Sequence, residues 1–129
     1  MAGVPIGQNV WIGYDAIIET SRPDLVTIRD GAAVQIRATI IPHFREQEGV
    51  VIEENATVGV GAIVLPNVTI GRGSIVTAGS VVTKSAPKTM VQGNPARPSA
   101  TIETPLTMRV LLKEFGKGLR PIRDNRPEK

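Results

Sequence analysis

The chain has one histidine, His43, in the segment PHFREQEG at residues 42–49. Imidazole is the side chain whose ordinary pKa suits proton transfer near neutral pH. The sequence contains no cysteine, which excludes a cysteine nucleophile, disulfide bonds and thiolate metal sites. It also holds too few imidazoles for a site that takes two or three from one chain. The chemistry left open at this segment is general acid or base catalysis by a single imidazole.

The composition limits the partners that such a site could serve. The chain has 129 residues and a net charge of +3, but residues 1–108 carry −1 and residues 109–129 carry +4. The basic C-terminus contains one aromatic residue, Phe115, whereas nucleic-acid grooves usually offer several stacking platforms, so we expect a solvated tail and no nucleic-acid partner. No apolar run approaches about 18 residues, and no secretion signal is visible, so we expect no membrane association and a cytoplasmic location.

A six-residue repeat of aliphatic side chains is the strongest pattern in the sequence. Steps of six give ten positions, nine of them Val or Ile: Ile28, Val34, Ile40, Glu46, Ile52, Val58, Val64, Ile70, Val76 and Val82. The position four residues after each is mostly small, as at Ala32, Ala38, Ala56, Ala62, Ser74, Ser80 and Ala86. Residues 44–50 fail both tests, which predicts a loop beside His43. Ile6, Ile12 and Ile18 repeat in another phase, which predicts an insertion across residues 20–25.

A period of six fits neither an α-helix nor an alternating strand. It fits a triangular solenoid in which each hexad forms one side and three sides form an 18-residue coil. The aliphatic side chains then point into the prism, the small residues fit its corners, and backbone hydrogen bonds join one coil to the next as in a parallel sheet. Because the repeat itself carries no chemistry, we expect function where the repeat is interrupted.

The C-terminal part reads differently from the repeat. Thr104 and Pro105 are suited to begin a helix, and the apolar residues after them predict a helix over about residues 105–115 that ends near Gly116. This helix would cover the column or a neighbouring subunit. Residues 117–129 are predicted to be extended or disordered.

The repeat, [Ile/Val]-Gly-x-x-[small]-x over about residues 4–98, resembles the hexapeptide-repeat family of left-handed β-helices. The resemblance implies an all-β solenoid, specifically a left-handed parallel β-helix of about five triangular coils with a C-terminal α-helix. The handedness comes from the resemblance alone, since parallel crossovers are almost always right-handed. The resemblance also divides the chain into a left-handed β-helix acyltransferase domain at residues 1–99 and a C-terminal helix with a basic tail at residues 100–129.

Within that family, residues 55–87 and the following GNPAR at 93–97 resemble the acetyl-coenzyme A dependent O- and N-acetyltransferases. The resemblance implies an enzyme that moves an acetyl or short acyl group from coenzyme A to a hydroxyl or amine of a sugar or other polar small molecule. His43 would be the general base, with acetyl-coenzyme A as co-substrate and no metal. Direct transfer needs no covalent enzyme intermediate, which agrees with the lack of cysteine.

The resemblance also implies cofactor-binding residues, which are Val60, Gly61, Ala78, Thr83, Lys84 and Arg97. An amide at Val60 or Gly61 would stabilise the oxyanion, and Ala78 would bind the pantetheine amides through its backbone. Lys84 and Arg97 would pair with the nucleotide phosphates, or else be ordinary surface charges. Thr57 and Val60 depart from the family, which often has Trp at the first position and a small polar residue at the second.

The acceptor is expected near His43, beside the insertion that carries Glu19 and Asp24. These carboxylates would accept hydrogen bonds from the substrate or orient His43, or else be a turn carboxylate and a solvent-exposed charge. The resemblance further implies a homotrimer with the cofactor cleft between columns. A non-catalytic scaffold, and a fragment of a larger enzyme, stay open as alternatives. The zinc carbonic anhydrases of this fold take three histidines, which argues against that activity.

Overall fold

The computed structural model describes residues 3–19, 21–107 and 109–122. Its strands are short because the chain turns a corner about every six residues. The elements are β1 Trp11–Ile12, β2 Ile17–Ile18, a 3-10 turn Pro23–Leu25, β3 Val26–Ile28, β4 Ala33–Val34, β5 Thr39–Ile40, β6 His43–Phe44, β7 Gln47–Glu48, β8 Val50–Ile52, β9 Thr57–Val58, β10 Ile63–Val64, β11 Val68–Ile70, β12 Ile75–Val76, β13 Val81–Val82, β14 Thr89–Gly93, β15 Ala96–Ile102, α1 Leu112–Lys117 and β16 Leu119–Pro121.

Parallel strands from successive turns stack into three faces of a solenoid. The first face is β1-β4-β9-β12-β14, the second is β2-β5-β10-β13, and the third is β3-β8-β11. Three consecutive turns have a strand on every face, and Thr57 pairs with Ile75, eighteen residues further on. The predicted β-solenoid and its 18-residue period are therefore confirmed. Thr57 pairs in the other direction with Ala33, 24 residues back, because six extra residues lie between the two turns.

The interior of the prism is filled by the residues that the repeat predicts. The nine aliphatic residues of the six-residue series are at most 1% exposed, and they form one continuous core with the small corner residues. Burial of each Val or Ile side chain is worth about 1.5–3 kcal/mol relative to exposure. Ile6 lies at the end of the column, where it makes an isolated bridge to Ile28 and stays 40% exposed.

Two interruptions project from one corner of the prism, between the second and third faces. The first is the segment after β2, which includes the 3-10 turn Pro23–Leu25. The second is an antiparallel hairpin of β6 and β7, placed between β5 and β8. The predicted insertion and the predicted break in the repeat are both confirmed, and the break takes the form of a hairpin. We call this edge, which comprises residues 19, 21–25, 41–49, 65–67 and 83–85, the histidine corner.

The last turn is closed by an antiparallel extension of the first face. Strand β15 pairs with β14, and β16 pairs with β15. Two buried hydroxyls of the small-residue series hold β14 in place. The Ser74 hydroxyl accepts from the Thr89 N–H at 3.1 Å, and the Ser80 hydroxyl accepts from the Gly93 N–H at 3.0 Å. These serines are therefore structural, as the repeat indicates.

The predicted helix over residues 105–115 is wrong in its bounds. The described part of that segment is not helical before Leu112, and α1 runs only to Lys117, one residue past the predicted end at Gly116. Pro105 instead lies against Gly73 on the column, and Leu106 is half-buried in a cleft with Trp11. Residues 105 and 106 thus contact the column and do not begin the helix that the local sequence predicts. Residues 119–121 are extended, as predicted, and residues 123–129 of the predicted tail lie outside the described residues.

Candidate functional site

His43 is the first residue of the hairpin and follows the buried Pro42. The base of the hairpin is fixed by two backbone hydrogen bonds: the Gly49 N–H donates to the Pro42 carbonyl, and the Asn67 N–H donates to the Gly49 carbonyl, both at 2.7 Å. Gly49 has a φ of +93°, a conformation that favours glycine at this turn back into the column. The backbone at His43 is thus fixed by the hairpin, while its side chain is 40% exposed and accessible to a ligand.

Glu19 reaches His43 from the preceding turn of the solenoid. The Glu19 N–H donates to the Ile40 carbonyl, which places Glu19 beside the chain that leads into the hairpin. Its Oε2 lies 2.7 Å from Nε2 of His43. Of the two carboxylates predicted near the acceptor, Glu19 is thus the one that contacts the imidazole.

Ser21 completes this group, although no role is predicted for it from the sequence. Its N–H donates to Oε1 of Glu19 at 2.6 Å, and its hydroxyl donates to Oε2 at 2.8 Å. The same hydroxyl oxygen lies 3.2 Å from Nε2 of His43. A serine two residues after an acid, within an insertion, is the signal that could have found it, because this spacing suits a local side-chain to backbone turn.

The hydrogen bonds from Ser21, first from its hydroxyl and then from its N–H, lower the pKa of Glu19, and the His43 imidazole lowers it further. Glu19 is therefore ionised at neutral pH. An ionised carboxylate on one ring nitrogen fixes the tautomer of an imidazole and stabilises the imidazolium that forms when the other nitrogen takes a proton. The arrangement is chemically suited to general base catalysis.

Asp24 is placed in an ion pair within the insertion. A guanidinium nitrogen of Arg22 lies 3.1 Å from its carboxylate, and hydrogen bonding to Arg22 lowers the pKa of Asp24. The predicted role of Asp24 toward an acceptor stays a prediction.

The predicted cofactor residues fall on two edges of the prism. Val60, Gly61 and Ala78 lie between the first and second faces. There the Gly61 N–H donates to the Ile36 carbonyl and the Gly79 N–H to the Val60 carbonyl, both at 2.9 Å. Ile36, Val60 and Ala78 therefore stack one above the other, with Tyr14 below them, and we call these four residues the apolar ridge.

This hydrogen-bond ladder distinguishes the two predicted oxyanion donors. The Gly61 N–H is engaged by Ile36, whereas the Val60 N–H has no hydrogen-bond partner in the part of the chain that the structure describes. Val60 is also 48% exposed. Of the two amides, that of Val60 is the one available to a ligand.

Arg97 belongs to the ridge side of the molecule. It pairs in register with Gln92 in the β14–β15 hairpin, and the neighbouring Gly93 is bonded to Ser80, two residues after Ala78. Thr83 and Lys84 instead follow β13 at the histidine corner, two turns further along the column than His43. Within one chain, His43 and Val60 consequently lie on different edges of the prism.

Two clefts in the described part of the chain lie away from His43. One of about 720 Å³ is formed between the first face and the C-terminal segment, where Trp11, Ala33 and Leu106 contribute to its lining. A polar cleft of about 670 Å³ next to it is lined by Asp30, Glu54, Arg72 and Arg109, among others. His43 lines neither. Across residues 3–19, 21–107 and 109–122, no group of three or more His, Asp or Glu side chains is arranged to hold a metal ion. The described helices are all too short or too polar to cross a membrane.

Part of the column matches a known sequence family. Residues 49–84 match the sequence profile described as bacterial transferase hexapeptide (six repeats). No curated protein shows significant sequence similarity to the chain.

Solved structures with the same fold include several transferases. A serine acetyltransferase in complex with cysteine is 21% identical, with a TM-score of 0.66, and the alignment covers 74% of this chain and 40% of that one. A variant N-acyltransferase from Bacillus cereus, in complex with dTDP-4-amino-4,6-dideoxyglucose and coenzyme A, is 23% identical with a TM-score of 0.62 and coverages of 74% and 61%. A hexapeptide-repeat acetyltransferase from Vibrio cholerae is 28% identical with a TM-score of 0.65 and the same coverages. The chain thus matches 40–61% of the length of these proteins.

Proposed function

We propose that the chain is a coenzyme A dependent acyltransferase with His43 as its general base, because residues 49–84 match the hexapeptide transferase profile and solved transferases share the fold. The acyl group would be acetyl or a short homologue, and the acceptor a hydroxyl or amine of a sugar or other polar small molecule. The observation that carries the proposal is the 2.7 Å contact between an ionised carboxylate and the chain's one imidazole, on a hairpin that projects from the solenoid.

The proposed reaction is direct transfer. The acceptor oxygen or nitrogen attacks the thioester carbonyl while His43 takes its proton, a step for which general base catalysis contributes about 10²–10⁴-fold. The new C–O or C–N bond forms, the C–S bond breaks, and the proton on His43 passes to the departing thiolate. The oxyanion formed in between needs a hydrogen-bond donor already in place, and the unengaged Val60 N–H supplies one.

The cofactor is proposed to lie along the apolar ridge. Ala78 is exposed there and would bind the pantetheine amides through its backbone, and Arg97 is exposed on the same side of the molecule, where phosphates could reach it. Thr83 and Lys84 are exposed at the histidine corner, so they would join the cofactor site where a second copy brings that corner to the ridge. Similar solved structures that contain coenzyme A include the N-acyltransferase and a serine acetyltransferase from Brucella abortus, which supports this assignment.

We propose a homotrimer because one chain separates the groups that the reaction must join. His43 and Val60 occupy different edges of the column, so a second copy must bring its histidine corner against the apolar ridge of the first. The exposure of the ridge supports this assembly: the side chains of Tyr14, Ile36 and Val60 are 84%, 42% and 48% exposed. Closure by a second copy would also exclude water from the thioester.

The handedness of the solenoid, its number of coils and the division of the chain are also proposed. We propose left-handed winding and about five coils in a domain of residues 1–99, followed by a C-terminal part at 100–129. Five parallel strands on the first face and the bridges of Ile6 and Ala86 at the two ends support that number of coils.

The test of this function is binding followed by turnover. Acetyl-coenzyme A should raise the thermal unfolding midpoint of the protein, and a panel of sugars, amino sugars and small amines should contain an acceptor that releases free coenzyme A. Acetyl-coenzyme A with no acceptor is the control for hydrolysis. If the cofactor gives no shift at concentrations near 1 mM, the proposal fails and a non-catalytic scaffold becomes the better account.

A further inference from the structure

We propose that Ser21 is a positioning residue that holds Glu19 against Nε2 of His43, so that Nδ1 is the nitrogen that takes the acceptor's proton. The inference rests on the proposed function for its catalytic meaning. Its structural part can be tested on the protein without any substrate.

Ser21 grips both oxygens of the Glu19 carboxylate. Its N–H donates to Oε1 at 2.6 Å and its hydroxyl donates to Oε2 at 2.8 Å. Oε2 is also the atom 2.7 Å from the imidazole. The carboxylate is therefore fixed in the orientation in which it engages His43, even though the group lies at the surface.

The directions of these hydrogen bonds define the tautomer. Because the Ser21 hydroxyl gives its proton to Glu19, it turns a lone pair toward Nε2, which lies 3.2 Å away. Glu19 presents a second lone pair to the same nitrogen. A ring nitrogen that faces two acceptors carries the proton, so neutral His43 is protonated on Nε2 and its free lone pair is on Nδ1.

This tautomer has a consequence for the reaction. When Nδ1 takes a proton, the ring becomes positively charged while Nε2 stays bonded to the ionised carboxylate. The charge is thus stabilised without any movement of the site. The side chains that contact His43 in the described part of the chain are those of Glu19 and Ser21 on the insertion.

The direct test uses nitrogen NMR of protein labelled with ¹⁵N-histidine. The chain has one histidine, so the spectrum reports His43 alone. The wild-type protein at a pH where the ring is neutral should show the Nε2–H tautomer as the dominant form. Ser21→Ala removes the hydroxyl and should shift the tautomer ratio toward that of a free imidazole, and Ser21→Thr should restore the wild-type ratio.

A matched control is available at the same corner. Ser85 is an exposed serine whose hydroxyl accepts from the Thr69 N–H at 2.9 Å, and no contact joins it to Glu19. Ser85→Ala should leave the tautomer ratio unchanged. A dominant Nδ1–H tautomer in the wild type, or an identical ratio in the wild type and Ser21→Ala, would overturn the proposal.

The turnover measurement separates this inference from the function on which it rests. With an active acceptor, Ser21→Ala should lower kcat about 3–10-fold with an unchanged KM for acetyl-coenzyme A, because it perturbs the base and leaves the cofactor residues intact. An equal kcat in Ser21→Ala and the wild type would contradict the catalytic part. If every acceptor fails while the tautomer responds as expected, the proposed function fails and the positioning by Ser21 stands.

Discussion

The interior of the column and its histidine corner are held together by different kinds of contact. Inside, nine aliphatic side chains of the repeat are at most 1% exposed, and they pack together in one core that runs through successive turns. At the corner, a 40% exposed imidazole is held by one carboxylate and one hydroxyl. Many similar apolar contacts contribute to the stability of the interior. The corner depends on a few contacts, and each of them is specific.

This difference separates stability from function in the molecule. A substitution in the interior should lower the free energy of unfolding and leave the activity of the protein that still folds unchanged. A substitution at the corner should lower the activity and leave the free energy of unfolding nearly unchanged.

Ile52→Ala should cause the largest loss, about 2–5 kcal/mol of the free energy of unfolding, because it opens a cavity in a fully buried layer. Denaturant titration measures it. Ile122→Ala is the matched control, since Ile122 is 44% exposed, and it should stay within about 0.5 kcal/mol. Equal effects of the two variants would contradict the assignment of the interior.

Gly59→Ala should destabilise the protein by about 1–3 kcal/mol, as overpacking does. A Cβ there would lie 2.5 Å from the Val76 carbonyl oxygen and 2.8 Å from the Ala78 nitrogen, which are backbone atoms of the next turn. Gly116→Ala, where a Cβ meets no atom within 4 Å, is the control and should be neutral or slightly stabilising in α1. Thermal unfolding of both variants decides whether turns stack as closely as described.

Lys84→Ala should raise the KM for acetyl-coenzyme A about tenfold, equivalent to about 1.4 kcal/mol, because a charge-assisted contact to phosphate is lost. Unfolding should be unaffected, since Lys84 is exposed. Lys88→Ala removes an exposed charge on another edge, after Ala86 on the third face, and should leave KM unchanged. Identical KM values for the two variants would remove Lys84 from the cofactor site.

Glu19→Gln should have the smallest effect on stability, and only above acidic pH. Because the folded pKa of Glu19 is lowered from its ordinary value of 4.5, its ionised form contributes stability above pH 4.5 that is lost as the pH falls through the lower folded pKa. Unfolding curves of the wild type and the variant should therefore differ by a constant amount near neutral pH and converge in acid. A difference that grows in acid would contradict the sign.

The sequence predicts the interior well because one rule, the period of six, is repeated many times. It assigns the buried positions from Ile28 to Val82, the structural serines, and both interruptions of the repeat. The C-terminal helix is the exception. Thr104 and Pro105 carry a correct local start signal, but contact of Pro105 and Leu106 with the column prevails over that signal.

The sequence predicts two residues of the candidate site, His43 and Glu19, but not the third, Ser21. His43 stands out by its rarity, and Glu19 by its charge within an insertion. Ser21 does not stand out, because its role depends on how an insertion from one turn folds over the hairpin of the next. That geometry is specific to two irregular segments and repeats nowhere else along the described column, so no periodicity reports it.

The most direct measurement of the central claim is the release of thiol from acetyl-coenzyme A in the presence of an active acceptor, by the wild type and by His43→Ala. The chain has no cysteine, so every thiol detected in this assay comes from the cofactor. We predict that His43→Ala lowers kcat about 10²–10⁴-fold while its folding and its affinity for acetyl-coenzyme A match the wild type. Thiol release at the wild-type rate by the variant would contradict the account.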